Sequence, residues 1–90
     1  MARLMLQEAD QGNINLDQAS PEMYFQLGMM YSSGKSVETD LVTAHKWFNI
    51  AASRGNSQAA HYRQEIAREM SKIDIANAQR AAREFMLSMH

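Results

Sequence analysis

The chain has 90 residues, 46 % of them hydrophobic, a net charge of −1 and no cysteine. That is one small domain of ordinary globular composition. Disulfides and thiol chemistry are excluded, and no charge excess marks the whole chain for nucleic acid or an anionic membrane.

Charge is unevenly spread. Residues 1–45 carry two basic and six acidic side chains and residues 46–90 carry seven basic and four acidic, so the halves are −4 and +3. This suits internal pairing or head-to-tail contact. The start, MARLMLQEAD, has no apolar run long enough for a signal peptide, and no later run could cross a bilayer, so a cytoplasmic location is expected.

Residues 2–10 read as a short helix with Leu4, Met5 and Ala9 inward, and 12–18 as a polar connection. Residues 1–19 thus form an N-terminal segment, helical or flexible, ahead of a domain at 20–90. Ser20 and Pro21 open the first strong helix, serine as cap and proline in the first turn. It runs to Ser33, and Gly34 is its left-handed terminator. Residues 35–40 form a loop whose one apolar residue, Val37, tucks under. Asp40 caps a helix over 41–54 that ends at Gly55. Asn56 or Ser57 caps a third over 57–70. Ser71 and Asp74, spaced as in a capping box, open a fourth over 72–88.

The connections are short, so neighbouring helices run antiparallel. Helix 41–54 aligns Leu41, Ala44, Phe48 and Ala51 on one stripe, with Trp47 and Ala52 beside it. Helix 72–88 aligns Ile75, Ala78, Ala82, Phe85 and Met89 as a packing seam. Gly28 lies inside helix 21–33, where glycine costs about 1 kcal/mol relative to alanine. It reads as a contact point against Ala44, Ala51 and Ala52, with Tyr24, Leu27, Tyr31, Trp47 and Phe48 filling the flanks.

Thirteen positions between residues 23 and 60 then fall into a pattern. They are Leu27, Gly28, Tyr31, Gly34, Val37 and Asp40, followed by Ala44, Trp47, Phe48, Ala51, Ala52, Gly55 and Ala59. The stretch resembles one Sel1-like repeat, a relative of the tetratricopeptide repeat. The resemblance implies an all-α fold of antiparallel helical hairpins, an α/α superhelix unit used for protein–protein contact. Ser36 departs from the pattern where the family prefers a second glycine, and Met23 where a small residue is usual. Arg63 and Gln64 replace the Leu-Gly of a following repeat, so the array stops after one unit, and the tail resembles a closing helix.

Chemistry-bearing residues do not assemble into a familiar site. His45, His61 and His90 are far apart, with no His-x3-His pair, and no metal or cofactor is expected. His61 and Glu65, one helical turn apart, read as a solvated pair, and His45 as a boundary residue. No phosphate loop or nucleophile motif occurs, so the chain does not read as an enzyme. Arg63, Arg68, Lys72, Arg80 and Arg83 line two helices, but Glu65, Glu69, Asp74 and Glu84 interleave with them, which reads as a salt-bridged surface. The aromatic residues read as core, except Phe25. It lies opposite Leu27 and Tyr31 on its helix and is expected to be exposed, forming with Met29 a contact patch beside Leu4 and Met5.

The expected function is a non-enzymatic interaction module, an adaptor or accessory subunit that docks a protein partner or a second copy of itself. A single repeat leaves apolar faces that something must cover. The alternative is a nucleic-acid-linked regulator using the basic face of helices 57–70 and 72–88.

Overall fold

The computed structural model describes residues 19–88. They form four helices and no strand: α1 (Pro21–Ser33), α2 (Leu41–Ser53), α3 (Ser57–Ala67) and α4 (Lys72–Leu87). The fold is all-α, as the helix-forming composition requires. The expected helix at 2–10, with Leu4, Met5 and Leu6, lies outside the described residues, as do Met89 and His90.

Each helix starts at the side chain suited to start it. The Ser20 hydroxyl accepts from the Met23 N–H at 3.3 Å, and Pro21 follows in the first turn. Asp40 accepts from the Thr43 N–H at 3.1 Å and from the Thr43 hydroxyl at 2.8 Å. Asn56 accepts from the Ala59 N–H at 2.9 Å, and Ser71 from the Asp74 N–H at 3.0 Å. These caps satisfy amide groups that no helical carbonyl can reach. Gly34 ends α1 at φ +75°, its N–H donating to the Met30 carbonyl at 3.1 Å.

Helix α3 is shorter than the expected 57–70. Its backbone tightens after Ala67, where the N–H groups of Arg68, Glu69 and Met70 donate to carbonyls three residues back, at 3.4, 3.0 and 3.1 Å. That is the tighter turn with which helices commonly finish.

Helix α2 is the centre. It packs against α1, α3 and α4, whereas α1 and α3 meet only lightly. Six of its residues are buried, Ala44, His45, Trp47, Phe48, Ile50 and Ala51, more than one amphipathic stripe supplies. Ile50, fully buried, falls outside the stripe read from the sequence, because α2 is covered from three sides.

Gly28 is buried on α1, and a Cβ built there would stand 2.5 Å from the Phe48 ring. The close approach expected at Gly28 is present. Its nearest partner is the ring of Phe48, a residue that the sequence places on the flank of the contact.

Two aromatic groups flank this contact. Tyr24 stacks on Trp47 with ring centres 5.9 Å apart, and Phe85 of α4 meets both edge-on at 6.0 and 5.1 Å. Phe25 meets Phe48 at 5.8 Å and Tyr62 of α3 at 5.5 Å. Adjacent residues on α1 thus serve opposite sides of α2. Phe25 is therefore half-buried rather than exposed, because the side of α1 facing away from Leu27 and Tyr31 faces α3. Trp47 is buried as expected of a core aromatic, with the Lys46 ammonium 4.4 Å from its ring centre.

Candidate docking surface

The loop between α1 and α2 is held on both sides. A Cβ on Gly34 would collide with the Thr39 hydroxyl, so Thr39 sits tight against the helix end. The Asp40 N–H donates to the Tyr31 carbonyl at 3.0 Å, tying the loop back onto α1. Between these fixed points Ser36 takes φ +73°, a left-handed conformation unusual for a residue with a Cβ. This is the position where the Sel1-like pattern has glycine. Serine thus stands in a backbone conformation that glycine would serve without strain.

This fixed loop forms one wall of an open cleft of about 550 Å³. The turn after α3 and the first turn of α4 form the other, through Glu69, Met70 and Asp74. Tyr31, Val37, Leu41, Val42 and Met70, all half-buried, supply its apolar surface. Glu38, Asp40, Glu69 and Asp74 supply four carboxylates, and no Lys, Arg or His lines the cleft. Asp40 is occupied in capping α2. Glu38, Glu69 and Asp74 form no salt bridge among the described residues, where the one such pair is Arg68–Glu65 at 4.0 Å, widely exposed. The salt-bridged surface expected on α3 and α4 is thus largely absent. The carboxylates do not converge on a metal, since among the described residues no group of three His, Asp or Glu side chains could hold one. The arrangement can receive a surface that is apolar and positively charged.

Phe25 and Met29, expected as a contact patch, are half-buried and packed against the core, and Leu4 and Met5 lie outside the described residues. Of the thirteen pattern residues, Gly28, Ala44, Trp47, Phe48, Ala51 and Ala59 are buried. Leu27, Tyr31, Val37 and Ala52 are half-buried. Gly34 and Gly55 take positive φ, and Asp40 caps α2. Tyr31, Val37 and Asp40 therefore serve both the fold and the cleft. In the sequence Glu69 and Asp74 read as partners of the neighbouring basic residues and Glu38 only as part of the 35–40 loop, so their place in one cleft is not legible there.

A second polar feature lies between α2 and α3. His45 is 3 % exposed, and its Nδ1 has no hydrogen-bond partner among the described residues. It is a core residue rather than the expected boundary residue. One turn further along α2, Asn49 accepts from the Arg63 guanidinium at 2.9 Å. Burial, then the nearby Arg63 charge, hold the His45 pKa below its ordinary value against a smaller opposing pull from its own backbone. His61 is exposed, with its ring against the edge of Tyr62 at 5.9 Å.

The chain matches no family model, no curated protein and no solved structure. No helix among the described residues is long and apolar enough to cross a membrane.

Proposed function

We propose that the chain is a non-enzymatic docking module of Sel1-like, tetratricopeptide-related character, which holds a protein partner in the cleft between the α1–α2 loop and the start of α4. The observation that carries this reading is the cleft itself, lined by apolar side chains and by carboxylates that form no salt bridge among the described residues, with one wall pinned by Gly34, Thr39 and Asp40. A wall that does not have to be ordered on binding lowers the entropic cost of association. The test is capture of partners from the native host with the full chain, beside a Glu38→Lys/Glu69→Lys variant. A protein held by the wild type and released by the variant supports docking at the cleft. Equal capture by both, or none by either, rejects it.

The nucleic-acid reading has less support. Arg63 is turned inward to Asn49, Arg68 lies beside Glu65, and Arg80 donates to Asn77 of its own helix at 2.6 Å, so these side chains do not form one basic patch.

A further inference from the structure

The inward seam of α4 is Ile75, Ala78, Ala82 and Phe85, buried or half-buried. Its outer face repeats the same three- and four-residue steps with Ile73, Ala76, Arg80, Arg83 and Leu87, all exposed. Ile73 is 73 % and Leu87 65 % exposed, and they are the most exposed large aliphatic side chains among the described residues. This second seam is half of a helix-packing surface with nothing packed on it. Arg83 meets no carboxylate among the described residues, and Arg80 meets only an amide.

We propose that copies of this chain associate head to tail, the Arg80–Arg83–Leu87 end of α4 from one copy lying in the carboxylate-bearing cleft of the next. The proposal rests on the docking reading above and names the occupant as a second copy. The two surfaces match in kind. Leu87 supplies an apolar side chain for the wall of Val37, Leu41 and Met70, and Arg80 and Arg83 supply cations for Glu38, Glu69 and Asp74, which form no salt bridge among the described residues. Glu84, beside the strip, leaves its balance positive. Arg83 does not fold back onto its own cleft, since it stands nine residues beyond Asp74, about 14 Å along the helix axis. A net charge of −1 sets no long-range repulsion between copies. The contact joins unlike surfaces, so it leaves a free strip at one end and a free cleft at the other, and association continues past the dimer unless a ring closes.

Sedimentation velocity on the full chain tests this from tens to hundreds of micromolar. The average mass is expected to rise past that of a dimer with concentration, and to fall back in high salt. Arg80→Glu/Arg83→Glu and, separately, Glu38→Lys/Glu69→Lys are each expected to weaken association about tenfold or more. An equimolar mixture of the two is expected to restore it, because each variant presents the surface the other now requires. All four side chains are exposed, and circular dichroism checks that each variant keeps its helices. Leu87→Glu gives an independent loss. A wild-type chain that stays monomeric across the range overturns the head-to-tail contact and leaves docking of a different protein to its own capture experiment. Folded variants that associate like the wild type, or a mixture that does not recover, also overturn it.

Discussion

At Gly28 a single missing methyl group sets the distance between two helices. Replacing an exposed helical glycine by alanine gains about 1 kcal/mol. Here the sign is expected to reverse. A Cβ would stand 2.5 Å from the fully buried Phe48 ring, which has no flexible end to withdraw. Gly28→Ala should therefore lower stability by about 1–3 kcal/mol, the usual effect of overpacking, read as a drop in the urea midpoint. An unchanged or raised midpoint would show that the ring can move aside. Ser36 offers the opposite experiment. Its φ of +73° suits glycine, so Ser36→Gly should raise stability by up to about 1 kcal/mol. A variant less stable than the wild type would refute the strain. His45 links stability to pH. Its pKa is lower in the folded chain than the ordinary value near 6.5, so the unfolded chain binds more protons as pH falls. The stabilisation by neutral His45 is complete above about pH 6.5. It is lost as pH falls from there through the lower folded value, then levels off. In melts taken between neutral and mildly acidic pH, His45→Leu should flatten this dependence relative to the wild type. An identical slope in both would remove His45 as its source.

At the scale of the helix, the sequence is most legible where the information is local. Ser20, Asp40, Asn56 and Ser71 cap the four helices at the positions their side chains suggest, because a cap bonds an amide only three residues away. Asp40 makes the most of this, bonding both the amide and the hydroxyl of Thr43. Asp40→Ala should cost about 1 kcal/mol or somewhat more, while Asp40→Asn should recover most of it. If thermal melts of the alanine variant match the wild type, the cap contributes nothing. The end of α3 is legible only in part. No glycine or proline stops the helix after Ala67, and its termination is a change in hydrogen-bond step that side-chain identity does not announce. Phe25 shows a different limit. Helical periodicity places it opposite Leu27 and Tyr31, but it cannot say that α3 covers that side.

At the scale of the molecule, what escapes the sequence is what only tertiary structure brings together. Glu38 and Glu69 come from separate turns, and nothing in either turn signals that they border the same cleft. The burial of His45 is of the same kind, since an amphipathic stripe describes one covering neighbour and α2 has three. The near-neutral charge and uneven halves were legible, and they suit a molecule that presents acidic and basic surfaces at different places.

The central position of α2 also sets the order in which the molecule can come apart. Because α1, α3 and α4 are held chiefly through α2, each can leave while the others stay, whereas α2 cannot leave without the whole. Helix α3 buries least, with Ala59 its one buried residue against two each on α1 and α4 and six on α2. Amide hydrogen exchange should therefore be graded. The amides of α2 should exchange only through global unfolding, and those of α3 through a local opening of lower free energy. Mild acid should speed α3 first, since buried His45 feels the charge of Arg63 on α3 and an opening there exposes it to protonation. Protection in α3 equal to that of α2, under conditions where exchange reports equilibrium opening, would mean the four helices open as one unit.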